Sequence, residues 1–564
     1  MFLQRLKEYA DCHRDELPPS LYDAVRVRYI IELDEEGRLL SDRLTDLSDP
    51  ESRRSRRGPR MPMPYVKRTS GISPQLFCDT APYTLDLPRE GRSESREHGC
   101  HEAYMEMLER CAEATGEPAV EAVLRFLEND PLEHLHLPED MDRGGNIIFR
   151  VNERNPADLP AVKRFWVRSY TGEDLPIMQC IVCGRREPVL NSLPTSVKGV
   201  PGAQASGAAI ISANEEAYES YGLERSHIAP ICLDCAESTT MALNRLLRLD
   251  DHHLRFSTGV YVFWTRGEEE WNPVGFLSQP KAEDVRALLL SVYSHPAAPV
   301  ESSDFYAAFL TGSGGRVQVR DWLDTTVEQV QRHLAHWFQA QRIVGPWGEE
   351  PEPLGVYSLA GSTVRDLNDL PPNVLRQLVG TALTGRPLPP GLLHGAVQRT
   401  RAQQAVNRNQ AALIKLVLSM RTQDADILRE EDPMTDLDLS NREPAYLCGR
   451  LLAEIEAAQR AAIPGAKATV IDRFFGTAST APASVFGNLL RGAQAHLGKL
   501  KRDRPGTYGG IQRRLEEIMS GLEEFPRTLS LDEQALFVLG YYHQRASDRA
   551  AATRARDEQE ESEL

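Results

Sequence analysis

Long apolar segments are missing from this chain: no run of 18 apolar residues occurs, so a membrane-spanning helix is not expected. Residues 1–9 read as the start of an amphipathic helix and lack the apolar centre of a signal peptide. Cysteine is scarce too, and five of the nine form no framework pattern: Cys12, Cys78, Cys100, Cys111 and Cys448. These absences predict a soluble protein of the reducing cytoplasm, with no membrane partner.

Positive charge is also in short supply. The 564 residues include 65 Lys and Arg against 82 Asp and Glu, a formal net charge of −17, which argues against indiscriminate coating of nucleic acid. Any contact with nucleic acid must therefore be local. Nucleotide hydrolysis is unsupported, because the glycine turn at residues 312–315 lacks the Gly-Lys-Ser/Thr ending of a phosphate-binding loop.

Two close cysteine pairs, Cys180 with Cys183 and Cys232 with Cys235, are the clearest signal that is present. Each C-x-x-C turn can present two thiolates to one ion, and two such turns complete a four-sulfur zinc site. Four thiolates leave no open position for water, and no His-x-Glu element precedes them, so we expect structural zinc rather than catalytic zinc. The alternative is four ordinary buried thiols.

A glycine-rich polar loop, residues 198–207, lies between the cysteine pairs, so that the metal would clasp the base of an insertion. Glycine lets a backbone approach a ligand closely. Polar side chains in and after the loop carry donors suited to phosphate or to base edges: Lys198, Gln204, Ser206 and Asn214. The alternative is an ordinary surface loop that binds no ligand.

A second candidate contact follows an arginine-rich stretch, residues 51–68, which its glycine and prolines predict to be an irregular arm. Phosphate anchors there stand beside short hydrogen-bonding groups, an arrangement suited to positioning on a backbone and reading bases. The candidate DNA-binding residues are Lys67, Arg68, Ser70 and Gln75. A merely solvated charged loop accounts for this stretch equally well.

The periodicity of apolar residues predicts an α+β fold. Strands are expected at residues 25–33 (with a hairpin turn at 34–37), 146–151, 254–264 and in a hairpin at 305–322, and helices at 326–341, 374–384, 391–420, 443–462, 483–500, 508–524 and 531–544. The four expected regions are an N-terminal α+β region with the basic arm (1–175), a zinc-clasped and β-rich region (176–345), a helical connection (346–433) and a C-terminal helical bundle (434–564). Residues 547–564 are expected to be disordered.

The C-terminal bundle carries clustered cations on two of its predicted helices. They are either a groove for a nucleic-acid backbone or a solvated face. The foremost candidates are Arg491, Lys499, Lys501, Arg513 and Arg514.

Five motifs stand out along nearly the whole chain. They are Lys67-Arg-Thr-Ser-Gly-Ile with Phe77-Cys-Asp79, Lys198-Gly-Val-Pro-Gly-Ala-Gln-Ala-Ser-Gly207 with Ala217-Tyr-Glu-Ser-Tyr-Gly222, Tyr446-Leu-Cys-Gly-Arg-Leu-Leu452, Asp472-Arg-Phe-Phe-Gly-Thr-Ala-Ser-Thr-Ala-Pro-Ala-Ser-Val-Phe486, and Leu536-Phe-Val-Leu-Gly-Tyr-Tyr-His-Gln544. Together, and in this order, they resemble the large subunit of the type I-C CRISPR surveillance complex (Cascade). The zinc prediction rests on cysteine spacing and not on this resemblance.

The resemblance implies a non-enzymatic role. Such a subunit sits where the complex holds the guide RNA's 5′ handle, recognises the protospacer-adjacent motif in double-stranded DNA, starts strand separation and recruits a separate nuclease-helicase. Its implied partners are the guide CRISPR RNA, the target duplex, the backbone and handle-holding subunits, and a small subunit from the same reading frame, for which Met434 would suit as an internal start.

Two other classes of function remain open from the sequence. A stand-alone zinc-dependent hydrolase or nuclease would need an acidic or histidine cluster near the metal, and the sequence offers none at useful spacing. A scaffold that never touches DNA is the third possibility, and the arginine-rich arm argues against it.

Overall fold

The computed structural model describes residues 2–49, 57–66, 68, 71–89, 91, 94–171, 175–213, 215–266, 271–294, 303–421 and 434–563. The chain forms two compact units. The first unit comprises residues 1–253, 259–267 and 308–322, and the second comprises residues 254–258, 268–307 and 323–564. The predicted α+β class is confirmed, while the division into four regions stays a prediction.

The first unit is mixed in its secondary structure. Its elements are α1 (Phe2–Cys12), β1 (Tyr22–Leu33), β2 (Thr45–Asp46), β3 (Arg60–Pro64), β4 (Cys78–Thr80), α2 (Ala81–Thr84), α3 (Glu94–Thr115), α4 (Pro118–Glu128), α5 (Pro131–His134), β5 (Asn146–Val151), α6 (Pro160–Thr171), β6 (Ile177–Gln179), β7 (Arg186–Pro188) and α7 (Leu233–Leu246).

The principal sheet of this unit is built around β1, whose β-branched and aromatic residues suit a strand. The strand order is β2-β1-β5-β4, with β3 also paired to β1. Strands β1 and β5 run parallel, and β3 lies antiparallel to β1 with Tyr22 opposite Pro64 and Arg26 opposite Arg60. The buried core next to this sheet includes Tyr29, Phe77 and Phe149.

The arginine-rich stretch is not irregular throughout, because its end forms strand β3. Residues 51–56 and Lys67 of this stretch lie outside the described part of the chain. Proline has no backbone N–H. Pro62 and Pro64 are two residues apart, so both missing N–H groups fall on the same edge of β3, and an edge strand tolerates this. The prediction of an irregular arm is therefore wrong for this segment.

A second sheet has the order β11-β10-β9-β8. Its strands are β8 (His253–Arg255), β9 (Val260–Thr265), β10 (Asp304–Ser313) and β11 (Arg316–Thr326). The predicted hairpin at residues 305–322 is thus confirmed. The single strand predicted at 254–264 is two neighbouring strands, and Gly259 lies against Phe309, where a Cβ would come within 2.4 Å of the ring.

The second unit is mainly helical. Its helices are α8 (Val274–Ser278), α9 (Ala282–Ser294), α10 (Val327–Gln341), α11 (Val356–Gly361), α12 (Val374–Thr384), α13 (Pro390–Gln403), α14 (Arg408–Ser419), α15 (Pro444–Ala462), α16 (Val470–Ala478), α17 (Pro482–Asp503), α18 (Pro505–Ser520) and α19 (Leu531–Glu563).

Helices α15 and α19 pack closely because each has a glycine at their crossing. A Cβ added at Gly449 would lie 2.0 Å from the Phe537 carbonyl oxygen, and one added at Gly540 would lie 2.2 Å from the Tyr446 oxygen. Two of the five sequence motifs therefore meet at one helix crossing. Their buried residues are part of the core of this unit.

Two helix predictions need correction. The helix expected at residues 391–420 is divided into α13 and α14, because Gln404 adopts a left-handed conformation (φ 53°) and Asn407 begins a new helix with a capping box. The disorder expected at residues 547–564 is wrong as far as Glu563, because α19 continues to that residue. The segment is rich in alanine and arginine, both strong helix formers.

Candidate metal centre and nucleic-acid interface

Cys180 and Cys183 lie on the turn that joins β6 to β7. The Cys180 N–H donates to the Arg185 carbonyl oxygen, and the Gly184 N–H donates to the Cys180 oxygen, each at 2.9 Å. Gly184 has a positive φ of 74°, which a residue with a side chain rarely adopts. This tight turn brings the side chains of Cys180 and Cys183, which are three positions apart in the sequence, close together.

Cys232 and Cys235 lie at the start of α7. Cys232 is the N-cap residue and Cys235 belongs to the first turn, so both thiols are at the positive end of the helix dipole. A backbone bridge joins Cys232 to Val189, just after β7, and the Ile181 N–H donates to Pro230 (2.9 Å). The two halves of the cluster are therefore held together by main-chain hydrogen bonds.

The four sulfurs lie within 4.8 Å of one another, and the Cys183 and Cys232 sulfurs are 3.9 Å apart. Tetrahedral zinc with bonds of about 2.3 Å would separate its sulfurs by about 3.8 Å, so the cluster could hold a metal ion. A hydrogen bond with the Cys235 thiol lowers the pKa of Cys232 to about 6, which favours a thiolate there at neutral pH. Among the described residues, these cysteines form the one such group of possible ligands.

The glycine-rich loop, which lies between the two cysteine pairs, has a closed base. Val197 and Ala208 pair antiparallel, with both N–H to oxygen distances 2.9 Å. Beyond this base, the tip of the loop at Gln204 and Ser206 is exposed. The loop is therefore fixed at its base and open to a ligand at its tip.

The loop also packs against the turn between β10 and β11. The Gln204 N–H donates to the Gly314 oxygen (2.9 Å), and the Gly312 N–H donates to the Pro201 oxygen (2.8 Å). Gly202, with a φ of 81°, lies so close to Gly312 that an added Cβ would come within 2.5 Å of its oxygen. Sequence reasoning treated these two glycine-rich segments separately, and nothing in their spacing indicates that they touch.

A cleft of about 300 Å³ lies beside the loop. Its lining includes three cations from separate segments, Lys198, Arg60 and Arg248, together with Tyr65 and Asn244. Arg60 and Arg248 are exposed. The Asn244 side chain accepts a hydrogen bond from the Lys198 N–H (2.9 Å), which fixes the start of the loop at the cleft.

The Lys198 side chain is held at the cleft but remains accessible. Its ammonium group forms an ion pair with Asp23 and lies 5.0 Å from the centroid of the Tyr65 ring, and 41% of the side chain is exposed. Three cations against one carboxylate give the cleft a positive balance on an acidic protein. Such a cleft is suited to a phosphate group, which could replace Asp23 as the partner of Lys198.

A model of the family described as CRISPR-associated protein (Cas_Csd1) matches residues 4–548. The chain belongs to the Cas_Csd1 family. No protein with a curated description matches it. In the described part of this Cas_Csd1 family member, no helix is both long enough and apolar enough to cross a membrane.

The first predicted contact in this Cas_Csd1 family member is only partly described. Lys67 and Ser70 lie outside the described residues. Arg68 forms an ion pair with Asp79 and lies 4.3 Å from the Tyr83 ring centroid. Gln75 is buried (6% exposed) and donates to the Val66 oxygen (3.2 Å), so the structure corrects its proposed role: it holds the local backbone and has no access to a base.

The second predicted contact lies at the cleft. Lys198 lines it, and Gln204 and Ser206 are exposed on the adjoining loop tip, whereas Asn214 lies outside the described residues. Sequence reasoning missed Arg248, Asn244 and Tyr65. Asn244 lies on α7, Arg248 follows the end of that helix, and Tyr65 follows β3, so only the folded topology brings them to the loop.

The predicted cations of the bundle have different environments. Arg491, Lys501 and Arg513 are exposed. Lys499 donates to the Ala462 carbonyl oxygen at the end of α15 (2.8 Å), and Arg514 is paired with Glu454 (2.6 Å) and Asp548 (3.4 Å). Arg514 is therefore part of the bundle's internal ion network, which corrects its selection as a strand-guiding cation.

Proposed function

We propose that this Cas_Csd1 family member is the large subunit of a type I-C CRISPR surveillance complex (Cascade). In this role it recognises the protospacer-adjacent motif in double-stranded DNA, helps to start R-loop formation and recruits a separate nuclease-helicase for antiviral defence. The observation that carries the proposal is the placement of Lys198 and Arg60 at one cleft beside an exposed polar loop. Family membership supports it independently.

The arrangement suits a reader of a short duplex motif. Phosphate contacts set the register of a protein on DNA, and a few polar side chains then meet the base edges. Lys198 and Arg60 would act as the phosphate anchors, and Gln204 and Ser206 would reach the bases. Guide pairing would supply the remaining sequence discrimination, so a small contact surface is sufficient on a protein with a net charge of −17.

The metal in this proposal is a structural zinc ion bound by the four cysteines. With four sulfurs as ligands, zinc has no open position for a water nucleophile. We accordingly propose that the subunit is not an enzyme. Incubation of the purified chain with DNA and RNA in the presence of Mg²⁺, Mn²⁺ or Zn²⁺ should give no cleavage, whereas turnover would favour the stand-alone hydrolase or nuclease.

The remaining partners follow from the same proposal. They are the guide CRISPR RNA, the backbone and handle-holding subunits, the nuclease-helicase, and a small subunit translated from Met434 in the same reading frame. The protein would act in the cytoplasm. Co-purification of the chain with the guide RNA and these subunits, with metal analysis of the same sample, tests the assembly.

The DNA contact is tested with the assembled complex and two target duplexes, one with the motif and one with it scrambled. Gln204→Ala should weaken binding to the correct duplex by about 1 to 3 kcal/mol and reduce the preference for it. Lys198→Ala should weaken binding to both duplexes, because a phosphate contact is independent of sequence. Arg110→Ala, which removes an exposed cation of α3, is the control. Unchanged binding by both loop variants in intact complexes would reject the loop assignment.

A further inference from the structure

A second cleft, of about 280 Å³, lies in the helical unit, and none of its lining residues is assigned above to nucleic acid. It is lined by α15, α19 and a short turn that contains Trp347. Four arginines share this lining with one exposed tryptophan: Arg460, Arg545, Arg549 and Arg556. This combination offers an aromatic face and several guanidinium groups to one ligand.

Trp347 is held firmly although 56% of it is exposed. The Gly345 N–H donates to the Glu349 oxygen (2.9 Å), and the Gly348 N–H donates to the Gly345 oxygen (3.0 Å), which closes the turn on both sides of the tryptophan. Gly348 has a φ of 89° and approaches α19 so closely that an added Cβ would lie 2.4 Å from that of Ala550. The indole is therefore presented on a fixed turn.

The arginines of α19 are placed along one helix face. Arg545, Arg549 and Arg556 are separated by four and seven residues, spacings that repeat on the same side of an α-helix. The Arg549 guanidinium lies 5.1 Å from the Trp347 ring centroid. Burial, and then the nearby charge of Arg545, lowers the pKa of Arg549, as expected where cations are crowded.

Two carboxylates also line the cleft, but both are already engaged. Glu456 accepts from Tyr541 (2.7 Å) and pairs with Arg460 (2.8 Å) and Arg545 (3.2 Å). Asp548 pairs with Arg514, outside the cleft, at 3.4 Å. Four guanidinium groups against two carboxylates leave an excess of positive charge beside the indole.

We propose that this cleft binds one nucleotide of a single-stranded nucleic acid. The base stacks on Trp347, and the adjoining phosphates lie between Arg549 and Arg556. Stacking on an exposed ring requires an unpaired base, and a cleft of this size does not admit a duplex. The proposal goes beyond duplex recognition and does not depend on it, since the two sites have no residue in common.

The test measures binding of the full-length chain to a fluorescein-labelled single-stranded oligothymidylate by fluorescence anisotropy. Trp347→Ala should lower the affinity by between about 5-fold and about 150-fold, the range of base stacking on aromatic side chains. Trp347→Phe should retain most of the affinity, because the phenyl ring still stacks. Arg527→Ala, an exposed arginine outside the cleft, should leave the affinity unchanged.

The arginines are tested through salt. Arg556→Ala should reduce the slope of log affinity against log salt by about 0.7, the value for one phosphate contact with a single strand. Trp347→Ala should leave that slope unchanged, which separates stacking from charge. Thermal unfolding of each variant checks that the bundle is intact.

Three results would overturn the proposal. The chain could fail to bind the single strand, folded Trp347→Ala could bind it as tightly as the wild type, or Trp347→Phe could lose as much affinity as Trp347→Ala. Failure of duplex recognition would leave these measurements unaffected, because Lys198→Ala should change duplex binding and leave single-strand binding as it was. The two proposals can thus fail separately.

Discussion

The cations that line the cleft of the first unit have fewer protein partners than the cations inside the helical bundle. At the cleft, Arg60 and Arg248 are exposed, and Lys198 has a single carboxylate partner. Inside the bundle, Arg450 is 1% exposed and is bound to Gln544 and Glu517, each at 3.0 Å. The number of cations in a stretch of sequence therefore says little about ligand binding, because burial and existing partners determine which charges remain available.

The two regions also differ in what holds them together. The apolar cluster around the cysteines is small, and the adjoining strands β6 and β7 have only three residues each. A bound metal would compensate for that small core. The bundle instead depends on close helix packing, with glycines at the α15–α19 crossing and a polar network between the helices.

The largest effect should come from removing the metal. A structural zinc ion contributes on the order of 10 kcal/mol in small zinc domains, so Cys232→Ser should unfold the segment around the four cysteines and release the loop. Calorimetry should show a lost or strongly shifted transition for the first unit, while the transition of the bundle remains. Metal analysis should find zinc in the wild type and a large loss in the variant.

Cys12→Ser is the matched control, because Cys12 is exposed and is not one of the four clustered cysteines. It should retain both the metal and the stability of the first unit. If the wild type bound no metal, or if Cys232→Ser unfolded no more readily than Cys12→Ser, the metal clasp would be rejected.

A pair of neighbouring arginines gives the next largest effect. At about pH 9, where Glu454 is ionised in the folded bundle, Arg514→Ala would leave this buried carboxylate without its guanidinium partner, and breaking a buried pair in this way costs about 3 to 5 kcal/mol. Arg513→Ala removes an exposed cation from the next position and should change stability by no more than about 0.5 kcal/mol. Urea unfolding of both variants measures the difference, and equal losses would contradict the distinction between buried and available cations.

Part of this picture could be predicted from the sequence because the relevant signals are local. The cysteine cluster follows from two C-x-x-C pairs, and the helices follow from apolar periodicity, because each depends on residues close in the chain. The cleft could not be predicted in this way, since Arg60 and Arg248 are brought to Lys198 by strand pairing and by α7. The burial of individual cations could not be predicted from the sequence either, so the sequence does not distinguish the exposed Arg513 from Arg514, which is paired with Glu454.

A smaller effect should follow from filling the contact between the loop and the β10–β11 turn. Gly202→Ala should lower the free energy of unfolding of the first unit by about 2 to 4 kcal/mol. The methyl group would clash with the Gly312 oxygen, and a φ of 81° is unfavourable for alanine. Gly314→Ala is the control, since it also has a positive φ (55°) but no atom lies within 4 Å of the added Cβ.

The difference between these two variants isolates the clash from the backbone strain. Gly202→Ala should also increase hydrogen exchange at the Gln204 amide, which donates to Gly314. Equal stability of the two variants, with unchanged exchange at Gln204, would show that the loop does not depend on this contact.

The smallest effect should be the dependence of the bundle's stability on pH across the narrow window from pH 6.5 to 8, at most about 2 kcal/mol in total. Burial, and then the nearby charge of Asp548, raises the pKa of Glu454 to about 8 from an ordinary value of 4.5, although Arg514 favours the charged form. As the pH rises from 4.5 towards 8, the unfolded chain loses this proton while the folded bundle retains it. The free energy of unfolding should therefore fall with rising pH, by at most about 1.4 kcal/mol per pH unit.

The window from pH 6.5 to 8 separates Glu454 from His543, whose pKa burial lowers to about 3 from an ordinary value of 6.5. His543 lowers the free energy of unfolding only as the pH falls below 6.5. There the unfolded chain binds a proton at this histidine, whereas the folded bundle does not. Glu454→Gln resembles the protonated acid and can still accept from Arg514, so it should make the bundle's transition less dependent on pH. Urea unfolding across this window should give a steeper slope for the wild type, and identical slopes would mean that Glu454 is charged in the folded protein.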